Sequence, residues 1–138
     1  MLVIDTSVAI KWAVNEPGSE EAAELLPCSL VAPDLFQAEV ANVLTKKARG
    51  RELSVGQARL AFDRILSRVE LLASAPFGSA AFDLSSSLAH SVYDCYFLAA
   101  AEAEGLVLVT ADTVFAAKVR TTSRAALVYL LGEEIPDD

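Results

Sequence analysis

Four carboxylates stand in neighbourhoods that give little reason for a charge. Asp5 directly follows the apolar run "LVI" (2–4), and Asp112 follows "LVLV" (106–109) after Thr110 and Ala111. Asp94 heads an apolar helical stripe, because the residues three, four and seven positions on are Phe97, Leu98 and Ala101. Glu39 falls between Leu35 and Val43, at the edge of a helical arc that holds Phe36, Val40, Val43 and Leu44. Each has an ordinary explanation on its own. Asp5 and Asp112 suit helix N-caps, Ser91 and Asp94 in "SVYD" read as a capping box, and an edge glutamate can be wet. One shared cause accounts for all four.

An unpaired carboxylate in a dry site takes up a proton, and clustered carboxylates raise one another's pKa. No Lys or Arg adjoins any of the four in sequence, apart from Lys46 on the Glu39 face. A divalent cation is the economical partner. An all-oxygen donor set suits Mg²⁺ or Mn²⁺ rather than Zn²⁺, which favours His and Cys. The single histidine, His90, reads as a helix-surface or helix-end residue rather than a ligand. Such a centre binds substrate phosphates through open positions and lowers the pKa of a bound water. No serine–histidine pair, glycine-rich phosphate loop or G-x-S-x-G elbow is present. Phosphodiester hydrolysis by water follows.

The elements that must position these acids alternate between short apolar runs and helical stretches. Strands are expected at 2–4, at "LVA" (30–32), at "ELLA" (70–73) and at 106–109. Helices are expected through "TSVAIKWAV", "SEEAAELL", "PDLFQAEVANVLTKKARG", "SVGQARLAFDRILSRV", "GSAAFDLSSSLAH" and "VYDCYFLAAAEAEG", and again from Asp112. Pro33 marks one helix entry, and Gly50 and Gly105 mark helix ends. The run "ALVYLL" fits either a closing strand or a last helix. Continuous apolar strands separated by helices are the signature of a parallel sheet covered on both faces, a three-layer α/β/α sandwich with sites beyond the strands' carboxyl ends.

With 138 residues, more than half of them apolar, the chain suits one domain with a substantial core, spanning 1–138. No apolar run approaches the ~18 residues of a membrane span, and no basic region precedes one at the N-terminus. A soluble cytoplasmic protein with reduced, structural Cys28 and Cys95 is expected. The net charge of −8 argues against a nucleic-acid partner, but setting the four candidate ligands aside leaves −4. Phosphate contacts would come from "KKARGR", with Lys46, Lys47, Arg49 and Arg51, and with less support from Lys11, Lys118 and Arg120. A solvated helix end is the plain reading of that run. Trp12 reads as packing or interface before base stacking. The acidic tail "EEIPDD" reads as a frayed, solvated end.

As a set, "LVIDTSVAIKWAV", "APDLFQAEVANVL", "YDCYFLAAAEAEG" and "LVTADTVFAAKV" resemble PIN domains, specifically the VapC-type toxins of toxin–antitoxin pairs, over essentially the whole chain. The resemblance implies an α/β/α fold and a Mg²⁺- or Mn²⁺-dependent ribonuclease. It implies that Asp5 and Asp94 are the principal metal ligands, with Glu39 and Asp112 completing the site directly or through water. It implies supporting roles for the hydroxyls of Thr6, Ser7 and Thr110. A homodimer, held inactive by a cognate antitoxin that also carries the DNA-binding arm, is implied as well. Rival readings lack their own marks. A haloacid-dehalogenase-type phosphatase needs an acid where Ser7 stands. A receiver-like module needs adjacent acids after the first strand and a lysine after a late one; a catalytically inert metal-binding module would not need the full acidic set.

Overall fold

The computed structural model describes residues 1–136, so Asp137 and Asp138 of the acidic tail lie outside the described residues. Among the described residues, five strands form one wholly parallel sheet: β1 (Leu2–Ile4), β2 (Leu30–Pro33), β3 (Val69–Leu72), β4 (Leu108–Thr110) and β5 (Val128–Leu130). Their order is β3-β2-β1-β4-β5. Seven α-helices connect them: α1 (Thr6–Ala9), α2 (Ser19–Ala23), α3 (Leu35–Arg49), α4 (Val55–Leu66), α5 (Gly78–Leu88), α6 (Val92–Glu104) and α7 (Thr113–Arg120). This is the expected α/β/α sandwich. The chain moves outward from β1 to β3 on one side, then returns to lay β4 and β5 on the other. The reversal places a topological switch point between β1 and β4, where a crevice opens beyond their carboxyl ends.

Burial follows position in the sheet. The interior strands β2 and β4 are buried throughout, whereas the edge strands β3 and β5 are buried only at Val69 and Val128. Phe36, Phe97, Phe115, Ile4, Leu44, Leu98 and Leu108 are the largest fully buried side chains. Each such group stabilises the fold by roughly 1.5–3 kcal/mol relative to exposure. Helix α6 packs across β1, β2 and β4. Its run Ala99–Ala100–Ala101 is buried, and such small side chains let the helix lie close to the sheet. That close approach brings the first turn of α6 to the crevice.

Helix ends account for most departures from the sequence reading. The α6 stop is a Schellman motif: Gly105 is left-handed at φ 66°, and Leu106 N–H bonds back to Ala101 O at 2.8 Å. Leu106 is therefore consumed by the cap, and β4 runs over 108–110 rather than 106–109. At the end of α3 the left-handed residue is Arg51 (φ 62°) and not Gly50 (φ −79°), with Glu52 N–H returning to Lys47 O at 3.0 Å. Pro33 ends β2 instead of entering α3. The run "ALVYLL" resolves into a 3₁₀ turn, Ala125–Leu127, that feeds β5. In the tail, Glu133 is clasped by Arg120 at 2.5 Å and by Leu130 N–H at 3.2 Å, so the first acid of that segment is anchored rather than frayed. Cys95 is buried as expected, but Cys28 is exposed.

Two left-handed positions make a paired stability test. A Cβ at Gly105 would meet nothing within 4 Å, so Gly105→Ala carries only the backbone cost, about 1 kcal/mol. Ala89 already sits at φ 50°, so Ala89→Gly should raise stability by about 0.5 kcal/mol after the extra unfolded-chain entropy is subtracted. Urea melts of both variants against the parent check these opposite shifts.

Candidate functional site

Parallel pairing of β1 with β4, in the register Val3 to Leu108 and Ile4 to Val109, sets the ends of both strands side by side. Asp5 and Thr110 leave those ends together. Asp5 is buried, and its Oδ2 accepts a short hydrogen bond from the Thr110 hydroxyl. Its Oδ1 accepts from Ser7 Oγ at 2.5 Å and from Val8 N–H at 3.3 Å, so it also caps α1. Ser7 Oγ in turn accepts from Ala111 N–H at 3.0 Å, and Thr110 Oγ1 accepts from Asp112 N–H at 3.1 Å. "DTS" and "TAD" are thus knitted through two hydroxyls. Asp112 caps α7 through Phe115 N–H at 3.0 Å. The capping reading and the site reading are compatible for both aspartates.

Glu39 reaches the same crevice from α3, where its Oε1 accepts from Thr6 Oγ1 at 3.1 Å. Asp94 arrives from the first turn of α6. No Ser91 side-chain cap forms, so the capping box suggested by "SVYD" is absent. The Asp94 carboxylate is engaged by His90 instead, with Nε2 and Oδ2 2.6 Å apart. An open groove of about 580 Å³ runs past Glu39 and Asp112, lined also by Thr6, Ser7, Lys11 and Lys47 among others.

Among the described residues no Lys or Arg pairs directly with Asp5, Glu39 or Asp112. Burial lifts the Asp5 carboxyl from 3.8 to about 6 despite the Ser7 and Thr110 hydroxyls, and the charge of Asp94 adds to the rise. Burial likewise lifts Glu39 to about 7, with further contributions from Asp94 and Asp5. The polar partners of Asp5 are hydroxyls and a backbone N–H, with no cation among them. Among the described residues, His90, Asp94 and Asp112 each offer one ligand atom within 4.8 Å of the others. Asp5 and Glu39 stand outside that trio and couple to Asp94 through charge. An oxygen-rich donor set with excess negative charge fits a hard divalent cation.

The family follows from the sequence itself, since the PIN domain model matches residues 2–120. The chain belongs to the PIN domain family. Solved structures agree on the fold of this PIN domain. PAE2754 from Pyrobaculum aerophilum is 22% identical, with a TM-score of 0.74 over 94% of this chain and 88% of that one. VapBC2 from Rickettsia felis, bound to a DNA fragment from its promoter, is 17% identical, with a TM-score of 0.69 over 94% and 97%. A toxin–antitoxin complex from Klebsiella pneumoniae is 18% identical, with a TM-score of 0.60 over 82% and 88%. No curated protein matches by sequence. No helix among the described residues of the PIN domain is long and apolar enough to cross a membrane.

His90 stands at the end of α5 as expected, but its contacts with Asp94 and with Lys118, a phosphate candidate in the sequence, are what sequence reasoning missed in the PIN domain. His90 is not a plain helix-surface group: its side chain is 12% exposed, lies against Phe115 with centroids 4.7 Å apart, and touches Asp94. Its spacing of four residues from Asp94 was the available signal. Lys118 turns inward onto His90, with Nζ 3.2 Å from Nδ1. The basic candidates divide. Lys47 lines the acidic groove while paired with Glu52 at 3.1 Å, and Lys46 and Arg49 border the adjoining hollow with Gly50. Arg51 is exposed in the turn after α3. Lys11 reaches the groove while bound to Glu16 at 3.1 Å, and Arg120 is held by Glu133. The Trp12 indole N–H bonds to Ala22 O at 2.8 Å, which favours packing.

Because burial and Asp94 hold the native Asp5 and Glu39 pKa values above their ordinary 3.8 and 4.5, the metal-free native state binds more protons than the unfolded chain up to about pH 7. Stability from these groups is complete below the ordinary values and declines as pH rises through about 6 to 7. Asp94→Asn removes one source of repulsion. Its stabilisation over the parent, read from urea midpoints in chelator, should be larger above pH 7 than near pH 4.

Proposed function

We propose that this PIN domain is a Mg²⁺- or Mn²⁺-dependent endoribonuclease and the toxin of a toxin–antitoxin pair. The observation that carries the reading is the convergence of Asp5, Glu39, Asp94 and Asp112 on one crevice with no cation neutralising Asp5. PIN domains are generally nucleases, and the solved structures that share this fold include a toxin–antitoxin complex and VapBC2 bound to promoter DNA. Asp5 and Asp94 are the principal ligands. Glu39 and Asp112 complete the donor set directly or through water.

A bound Mg²⁺ or Mn²⁺ supplies charge neutralisation at the phosphoryl oxygens and a water of lowered pKa. The chain supplies the rest. Ser7 and Thr110 fix both oxygens of Asp5, and Thr6 fixes Glu39, so the donors are preorganised before substrate arrives. Water attacks phosphorus in line, the bond to the departing 3′-oxygen breaks, and the products carry 5′-phosphate and 3′-hydroxyl ends. Lys46, Lys47 and Arg49 contact the RNA backbone along the groove and the hollow beside it, and Arg51 does so from the exposed turn after α3. The single domain spans 1–138, acts in the cytoplasm as a homodimer, and is held in check by a cognate antitoxin that carries operator binding.

Purified parent and Asp94→Asn, incubated with total RNA, test the reading. The parent should cleave with Mg²⁺ or Mn²⁺ and stop in chelator. Asp94→Asn should lose at least about a hundredfold in rate, since metal-borne charge stabilisation amounts to several kcal/mol. Asp94→Asn cleaving as fast as the parent would overturn the assignment. Separately, Lys47→Ala should weaken binding of uncleaved RNA across sequences and reduce the salt slope by about 1, measured by filter binding.

A further inference from the structure

The turn between α5 and α6 holds a device that the four-acid reading does not use. Its backbone is pinned twice to α5: His90 N–H bonds to Ser85 O at 3.2 Å, and Ser85 Oγ donates to His90 O at 2.5 Å. The imidazole lies against Phe115 of α7. On one side its Nε2 meets Asp94 Oδ2 at 2.6 Å, and on the other its Nδ1 meets Lys118 Nζ at 3.2 Å. Lys118 also donates to Ala89 O at 2.8 Å, which fixes the ammonium in place.

The direction of each proton follows from donor chemistry. An ammonium donates and cannot accept, so Nδ1 beside Lys118 must present its lone pair. The ring proton then resides on Nε2 and points at Asp94 Oδ2. We infer that His90, held in this single neutral tautomer by Lys118, is a positioning residue that orients the Asp94 carboxylate for a divalent cation and is not itself a ligand. The inference rests on the metal-dependent reading of the site. His90 fills Oδ2 and leaves the remaining acceptor capacity of Asp94 for the cation, in the manner by which outer hydrogen bonds fix metal-binding side chains. Direct ligation by His90, although it lies within reach of Asp94 and Asp112, would require Nε2 to lose its proton and Nδ1 to gain one facing an ammonium.

The chain has one histidine, so ¹⁵N-histidine labelling of tag-free protein gives a single ring to observe. In the metal-free parent the spectrum should show a protonated Nε2 and a bare Nδ1. Mg²⁺ should move those resonances without exchanging the tautomer. Lys118→Met should release the lock and mix the tautomers. By calorimetry with Mg²⁺ or Mn²⁺, His90→Phe keeps the ring stacking but should bind about tenfold more weakly. His90→Gln, whose amide N–H can reach Asp94, should recover most of that loss. A proton on Nδ1 in the parent, transfer of the proton to Nδ1 when Mg²⁺ is added, or unchanged affinity in His90→Phe would each overturn the inference. In the last case the parent still binds metal and cleaves RNA, so the nuclease reading survives; a parent that binds neither ion removes both.

Discussion

The pairing of β1 with β4 is the constraint on which the rest depends. Because Ile4 sits opposite Val109, the next residues out, Asp5 and Thr110, meet at the carboxyl edge of the sheet. A slip of one residue would turn Thr110 to the opposite face and strip the buried Asp5 Oδ2 of its donor, leaving only the Ser7 and Val8 bonds to Oδ1. The apolar packing of Val3, Ile4, Leu108 and Val109, each at most 1% exposed, fixes that register. The burial that builds the core therefore also holds the site acid in place.

The choice of donors explains the electrostatics. Burial raises the proton affinity of Asp5 and Glu39, and the serine and threonine hydroxyls oppose that rise without supplying a neutralising cation. A lysine or arginine in the same places would have formed a closed ion pair with no capacity left for a cation. The ammoniums of Lys11 and Lys47 that line the groove are taken by Glu16 and Glu52, and that of Lys118 is separated from Asp94 by the imidazole of His90. The metal-free site is accordingly strained by repulsion, and binding of a cation would relieve it.

Much of this was legible in the residue order. Asp5 and Asp112 announced themselves because each follows an apolar strand, and Asp94 because it heads an apolar stripe; topology then brought them together. The parallel sheet was readable from continuous apolar runs. What escaped was set by tertiary contact or by cap geometry. Leu106 belongs to the run "LVLV" by composition, yet its N–H is taken by the α6 cap. Arg51 rather than Gly50 adopts the left-handed turn, which no propensity favours. Lys118 meets His90 across 28 residues, and Glu133 meets Arg120 across 13, so neither contact has a local signature. The roles of Lys46, Lys47, Arg49 and Arg51 depend on a substrate path that neither periodicity nor charge counting draws.

If the four acids form one cation site, it lies at the β1–β4 switch point. Crystals grown with Mn²⁺ and measured at a wavelength where manganese scatters anomalously test it directly. A strong anomalous peak should appear in contact with Asp5 and Asp94 carboxylate oxygens, with Glu39 and Asp112 reaching it directly or through water. A crevice without such a peak at saturating Mn²⁺, or a peak held elsewhere on the surface, would contradict the shared site.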